Sequence, residues 1–215
     1  RNFCNKIWNA ARYVLMNTEN SPLEVPKSTL SLPDRWIRSR LGKTIVATST
    51  HLEHYRLDLA AKSLYEFTWN EYCDWYLELT KPVLQNEDTP PEIKAATQRT
   101  LIEVLETLLR ALHPIIPFIT EEIWQRVAPV AGVEGATIML QAFPDSSDFD
   151  VDDEAEQELE WIMGFVLGIR QIRGEMDIPP GKPLTVLLQN VSPLDRTLRA
   201  SQHLYLRKRR SYDRR

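Results

Sequence analysis

Cysteine and glycine are both scarce in this chain of 215 residues. The two cysteines, Cys4 and Cys73, are too few for a disulfide framework and have no metal-ligand partner at close spacing, so we expect free thiols. The seven glycines form neither of the Gly-rich loops that cradle phosphates in nucleotide-binding enzymes. The serine-hydrolase and zinc-protease motifs are also missing, so the sequence predicts no catalytic residue in this chain.

Long apolar runs are missing as well. No stretch reaches the ~18 apolar residues of a membrane span, so we expect no contact with a membrane. The first residues, Arg1 to Cys4, contain neither a signal segment nor an initiator methionine, and they have the pattern of a helix interior. We therefore expect a cytoplasmic protein and a piece of a longer chain. His51 and His54 have the spacing of a metal-binding pair, but no third ligand is near, and we predict no metal site.

Charge is unevenly distributed along the chain, although the net charge is only −4. Residues 1–62 hold ten Lys or Arg against five Asp or Glu. Residues 145–160 hold nine acidic residues and no base, and residues 207–215 hold six bases and one acid. A polyanion is therefore expected to meet the first third of the chain rather than the acidic segment. The alternative is that these are ordinary solvated faces.

Apolar residues recur at helical spacing through the first 130 residues and predict five helices. The second has the clearest start, because Ser31 can cap it, Pro33 suits its first turn, and Asp34 completes a capping box. Pro82 is expected to end the third helix. Short connections between helices are typical of an antiparallel bundle, here with helices at about 3–17, 31–52, 57–79, 91–112 and 118–127.

The C-terminal part has a different pattern. The helical periodicity is interrupted by Pro129, Gly132 and Gly135. A strand at Thr137–Leu140, a helix at 152–176 and a strand at Leu184–Leu188 are predicted beyond them. The sequence thus predicts a mainly α fold, with an antiparallel helix bundle at 1–144 and a small, partial α/β appendage at 145–215.

Aromatic side chains are dense within residues 65–76: Tyr65, Phe67, Trp69, Tyr72, Trp75 and Tyr76. Six aromatic rings on about three helical turns cannot all face one core, so some of them must line a second surface. That surface is expected either to contact a neighbouring helix or domain or to stack nucleic-acid bases.

Basic and aromatic residues also alternate on the first two predicted helices, in the segments Trp8–Tyr13 and Arg35–Arg40. Arginine binds phosphate or stacks on a base, tryptophan and tyrosine stack, and asparagine can read a base edge. These residue types suit a single-stranded RNA loop with splayed bases.

Four blocks of the sequence closely resemble the anticodon-binding part of valyl-tRNA synthetases, in the same order and at similar spacing. The resemblance covers about residues 1–190 and is best from 1 to 144. The first block, with its Asn-Ala-Ala-Arg, points to the valyl enzymes, and the last is similar to a corner that the valyl, isoleucyl and leucyl enzymes share. The blocks are FCNKIWNAARYVLM (3–16), LPDRWIRSRL (32–41), YEFTWNEYCDWYLE (65–78) and HPIIPFITEEIW (113–124).

The resemblance implies a class I enzyme that joins valine to its tRNA and uses ATP with Mg. The H-x-G-H and K-M-S-K-S motifs of its catalytic domain do not occur here, so the chain itself is expected to hold no cofactor and to be inactive alone. The implied partners are the anticodon stem-loop of tRNA and a catalytic domain of the same chain, but not DNA. Alternatives are a stand-alone helical interaction module derived from this fold and the same domain of an isoleucyl or leucyl enzyme. The basic tail at 207–215 departs from the family pattern and would fit a truncated or frameshifted end.

We expect the anticodon loop to bind at Asn9, Arg12, Arg35, Trp36 and Arg38. The first two lie in the C-terminal half of the first helix, and the others lie at the start of the second, whose N-terminus favours phosphate. The connection 18–30 would bring these ends together in an antiparallel hairpin. Trp36 is expected to stack an unpaired base, unless it packs into the core beside Ile37. The acidic stretch 145–160 is expected to face away from RNA, because it would repel phosphates.

Overall fold

Helices make up the regular structure of the part of the chain that the computed structural model describes, namely residues 1–18, 29–179 and Lys182. The prediction of a mainly helical fold is therefore confirmed. No helix in these ranges is long and apolar enough to cross a membrane. The α-helices are α1 (Asn2–Thr18), α2 (Leu32–Glu53), α3 (Leu57–Glu66), α4 (Leu77–Gln85), α5 (Pro91–Leu112), α6 (Pro117–Ala131) and α7 (Asp153–Glu175), and a π-helix (Phe67–Tyr76) joins α3 to α4.

The core forms where the apolar faces of the helices meet. On α1 the buried side chains are Ile7, Ala10, Ala11 and Val14, which is the predicted stripe. This stripe packs against α5, α6 and the π-helix, whereas α2 packs against α3, α5 and the π-helix. The structure thus places α5 and the π-helix in contact with both of the first two helices.

The start of α2 is fixed by the predicted capping box. Ser31 Oγ accepts from the Asp34 backbone N–H, and the Asp34 carboxylate accepts from the Ser31 N–H at 3.1 Å. Asp34 is completely buried, and its carboxylate also accepts from Tyr76 Oη at 2.7 Å and Thr97 Oγ1 at 2.8 Å. Burial raises the pKa of this carboxyl above its ordinary value, although these hydrogen bonds act in the opposite direction. One side chain thereby links α2, the π-helix and α5.

The third predicted helix is one continuous rod of α3, the π-helix and α4. Its buried residues in the π-helical part include two pairs spaced by five, Phe67 with Tyr72 and Thr68 with Cys73. This spacing matches the i→i+5 hydrogen bonding of a π-helix. The wider turn therefore brings these side chains into the core.

The expectation that Pro82 ends the third helix was wrong, because α4 continues to Gln85 with Pro82 inside it. A proline in a helix loses one backbone hydrogen bond and clashes with the preceding turn. Pro82 is itself buried, as are Leu79 and Val83 on the same helix, and this burial offsets the lost bond. Similarly, Pro129 lies within α6, which ends at Ala131 and is followed by Gly132 with a φ of 77°.

The predicted strand at Thr137–Leu140 was also wrong, because Ile138–Leu140 is a turn of 3-10 helix. Glu121 on α6 holds this segment: its carboxylate accepts from Thr137 Oγ1 at 2.8 Å and from the Ile138 N–H at 3.2 Å. A strand needs a partner strand, and a helix side chain takes that place here. The other predicted strand, at Leu184–Leu188, lies outside the described residues, as do most of the connection 18–30 and the basic tail.

The chain divides after Asp153 into two compact units, and the predicted boundary at 144 stays a prediction. The described part of the second unit is mainly α7, which agrees with the helix expected at 152–176. Within it, the Trp161 and Phe165 rings stack with centroids 5.7 Å apart. Arg173 donates hydrogen bonds to the carbonyls of Pro179 and Lys182, both at 2.7 Å.

Candidate nucleic-acid interface

Trp36 lies in the core, with 4% of its surface exposed. It is one residue before Ile37, which is fully buried on the same helix. A base cannot stack on a ring that other side chains already cover. The geometry therefore favours the alternative given above, in which Trp36 is a packing residue.

The two arginines at the start of α2 are bound by carboxylates. Arg35 donates from Nε and Nη2 to the Asp152 carboxylate at 2.7 and 3.1 Å. Arg38 pairs with Glu103 on α5, and its guanidinium lies 5.4 Å from the centroid of the Phe149 ring. An RNA phosphate at this end of α2 would have to compete with both carboxylates.

The segment 149–152 therefore lies along α2. Besides the Arg35 contact, the Asp152 N–H donates to Ser39 Oγ at 2.9 Å, and Lys43 pairs with Asp153 at 2.8 Å. Part of the acidic stretch 145–160 thus covers the helix start at which RNA was expected. The expectation that this stretch faces away from RNA and the expectation that RNA binds at Arg35 cannot both hold.

The assumed hairpin of α1 and α2 does not describe how these helices pack. Helix α1 packs mainly on α5 and α6, and α2 packs mainly on α3 and α5. Direct packing of α1 against α2 therefore does not unite the five predicted site residues. Asn9 and Arg12 are exposed on α1, while Trp36 is buried and Arg35 and Arg38 are partly exposed and paired with carboxylates.

A groove of about 290 Å³ lies beside the exposed face of α1, between this helix and α6. Its polar side chains are Arg12, which sequence reasoning selected, and Arg126 on α6. The Arg126 guanidinium lies 5.9 Å from the centroid of the Trp8 ring and pairs with Glu122 at 2.9 Å. The groove is lined by Trp8, Ala11, Arg12, Leu15, Met16, Ile123 and Arg126.

Sequence reasoning did not select Trp8 and Arg126, which line this groove. The signal for Trp8 was present, since the buried stripe of α1 turns residue 8 toward solvent, and 42% of its surface is exposed. No comparable signal marks Arg126, because only the packing of α6 on α1 brings it to the groove. Among the described residues, no group of three His, Cys, Asp or Glu side chains is placed to hold a metal.

The aromatic residues between 65 and 76 divide between two surfaces, as their number predicted. Phe67, Tyr72 and Tyr76 are buried. The Tyr65 and Trp69 rings stack with centroids 5.7 Å apart. Residues of α1 contact this second surface. The Phe3 and Tyr65 ring centroids are 5.2 Å apart, and Lys6 Nζ lies 3.7 Å from the centroid of the Trp69 ring and 2.6 Å from Asp74 Oδ1. These rings thus pack α1 against the continuous rod of α3, the π-helix and α4, and Lys6 covers one face of Trp69.

One comparison with known proteins bears on this arrangement. A family model described as the anticodon-binding domain of tRNA ligase matches residues 34–188. The match begins in the first turn of α2, extends through α7, and covers more than half of the chain.

Proposed function

Since this chain belongs to the family of anticodon-binding domains of tRNA ligases, we propose that it is the anticodon-binding part of a valine–tRNA ligase. The family match over residues 34–188 is the observation that carries the tRNA-binding role. Such a domain implies an enzyme as the parent protein and tRNA as the partner.

The choice of valine depends on α1, which precedes the matched range. Its segment Asn9-Ala10-Ala11-Arg12 is the block that most resembles the valyl enzymes. The structure gives this block two faces: Ala10 and Ala11 are buried, while Asn9 and Arg12 are exposed. An amide and a guanidinium one helical turn apart are suited to a base edge and a phosphate.

The parent enzyme in this proposal activates valine with ATP and Mg on a catalytic domain elsewhere in the same protein, in the cytoplasm. The part described here would hold the anticodon stem-loop while that domain acts on the other end of the tRNA. Of the five site residues expected from sequence, Asn9 and Arg12 are retained in the proposal because they are exposed.

The proposal can be tested by measuring the affinity of the 215-residue chain for three synthetic anticodon stem-loops, from valine-, isoleucine- and leucine-accepting tRNAs. We expect the valine stem-loop to bind most tightly. In nucleic-acid complexes one misread base lowers the affinity by about 1–3 kcal/mol, or ~5- to 150-fold. The matched control is a valine stem-loop with the same stem and a scrambled loop.

Two outcomes would favour the alternatives. Tighter binding of the isoleucine or leucine stem-loop would assign the domain to that ligase instead. If no stem-loop bound more tightly than the scrambled control, anticodon binding by this chain would be refuted, and a helical module for protein interaction would become the better interpretation.

A further inference from the structure

The groove between α1 and α6 combines three properties that the other surfaces described above do not share. It is concave, it contains an exposed indole ring, and it carries two guanidinium groups. Its volume of about 290 Å³ lies at the small end of sites for small organic groups, which span roughly 300–1,000 Å³.

The charges at the groove favour an anion. Among the described residues no carboxylate lines it, and the nearby Glu122 pairs with Arg126 through one guanidinium nitrogen. Arg12 is exposed and has no ion pair among the described residues. This contrasts with Arg35 and Arg38, whose guanidinium groups are held by Asp152 and Glu103.

The apolar part of the groove favours a flat ring. Ala11, Leu15 and Ile123 supply an aliphatic lining, and Trp8 supplies a π-face to which a second ring can stack. Planar rings with an attached anion are the chemistry of a nucleotide. Base-to-aromatic stacking combined with Arg-to-phosphate pairing is the usual way in which proteins hold unpaired nucleotides.

We propose that the α1–α6 groove binds one unpaired nucleotide of an RNA loop, with the base stacked on Trp8 and the adjacent phosphate paired with Arg12. This inference rests on the proposed function and gives it a specific location. The Arg126 guanidinium pairs with Glu122 and lies 5.9 Å from the centroid of the Trp8 ring, so the base would stack on the opposite face of Trp8. The site is shallow, with Trp8 42% and Met16 69% exposed, so flanking phosphates of an RNA are needed for useful affinity.

The test measures the affinity of the full 215-residue chain and its variants for the valine anticodon stem-loop by fluorescence anisotropy. Trp8→Leu keeps an apolar side chain but removes the π-face, so we expect binding to weaken about 5- to 150-fold, the range for one stacked base. Trp8→Phe should restore part of this loss. Arg12→Gln should also weaken binding. Its control is Arg56→Gln, which removes the same charge from the turn after α2, outside the groove.

A second readout follows the groove itself. RNA should quench tryptophan emission in the wild type more than in Trp8→Phe, because only the former has an indole in the groove. The monophosphates AMP and CMP should compete only at far higher concentration than RNA; equal competition by a free nucleotide would overturn the assignment to RNA. Thermal midpoints of Trp8→Phe and Arg12→Gln identify folded variants, so that the affinities remain interpretable even if Trp8→Leu unfolds.

The results that would refute the groove differ from those that would refute the proposed function. If the valine stem-loop is preferred but the Trp8 and Arg12 variants bind it like the wild type, the groove is wrong and the function stands. If an unstructured oligoribonucleotide binds as well as the stem-loop and Trp8→Leu abolishes both, the groove stands and anticodon selection fails. If no RNA binds the wild type, both proposals are wrong.

Discussion

At the scale of single residues, Tyr55 has an unusual backbone conformation. Its φ is 56°, just after α2, and 90% of its surface is exposed. This left-handed conformation disfavours residues with a Cβ by about 1–2 kcal/mol, whereas glycine adopts it freely. The exposed ring contributes little packing to offset the strain. We therefore expect Tyr55→Gly to stabilise the chain by ~0.5–1 kcal/mol, measured by urea unfolding, after the greater flexibility of glycine in the unfolded chain is subtracted.

The control for Tyr55→Gly is the residue before it. His54 has φ −91°, which any residue can adopt, so His54→Gly should destabilise the chain by the entropy that glycine adds to the unfolded state. Destabilisation by both substitutions would mean that the Tyr55 ring contributes contacts that outweigh the strain.

The buried carboxyl of Asp34 predicts a dependence of stability on pH. Its folded-state pKa is raised, with burial as the largest cause and hydrogen bonds from Ser31, Tyr76 and Thr97 opposing it. Below the unfolded pKa of about 3.9 the group is protonated in both states, and its contribution to stability is complete. As the pH rises, the unfolded chain ionises first, so that contribution is lost through the folded pKa.

Asp34→Asn isolates this effect, because asparagine does not titrate. The free energy of unfolding of the wild type minus that of Asp34→Asn should decrease as the pH is raised from about 4 toward 7, measured by urea unfolding at each pH. An increase over the same interval would show that the hydrogen bonds to the ionised carboxylate outweigh its burial, with a folded pKa below the unfolded value.

Two tryptophans show how much of the candidate site could be predicted from the sequence. Trp8 and Trp36 both stand near arginines on helices, and sequence reasoning chose Trp36. The exposure of Trp8 could be predicted from the apolar stripe of α1 alone, because residue 8 lies outside that stripe. The burial of Trp36, in contrast, depends on helices that approach α2 from elsewhere in the chain, and no local pattern contains that information.

At the scale of elements, local signals predicted two helix starts well. The capping box at Ser31 and the proline at Pro91 each fixed a helix start. The errors arose where tertiary contacts override local preference. Burial keeps Pro82 in a helix, and the Glu121 carboxylate holds residues 137–138 in place of a strand partner. The π-helix was missed because its five-residue spacing was treated as approximate α-helical spacing.

The packing of segment 149–152 against α2 can be tested at this scale. Gly42 lies in α2, and a Cβ at this position would be 2.9 Å from the Cβ of Phe149, which is buried. Alanine ordinarily stabilises a helix interior by ~1 kcal/mol relative to glycine. Here the clash should prevail, since overpacking costs typically 1–3 kcal/mol. We expect Gly42→Ala to lower the thermal midpoint.

Gly164 in α7 is the matched control, because an added Cβ meets no atom within 4 Å among the described residues. Gly164→Ala should therefore raise the thermal midpoint through helix propensity alone. If the two alanine variants shifted the midpoint in the same upward direction, the contact between Phe149 and Gly42 would not be closely packed.

At the scale of the whole molecule, the positive charge of the first third is largely neutralised by acidic groups. Of the nine Lys and Arg within residues 1–62 that the structure describes, seven form ion pairs, several of them with carboxylates from later in the sequence. The exposed pairs among them contribute little stability, but all seven lower the charge available to RNA. The seven are Lys6, Arg35, Arg38, Arg40, Lys43, Arg56 and Lys62.

This neutralisation predicts RNA binding that is weak and sensitive to salt, but with few phosphate contacts. With most bases already paired, we expect only ~3 phosphate contacts, and each releases about 0.7 of a counterion from single-stranded RNA. The logarithm of the affinity for the valine stem-loop should then fall against the logarithm of salt concentration with a slope of about −2, measured by anisotropy between 50 and 200 mM KCl. Arg12→Gln should reduce this slope by about 0.7, the contribution of one phosphate. A slope steeper than about −5 would require seven or more contacts, which is possible only if the ion pairs of the first third open to receive RNA.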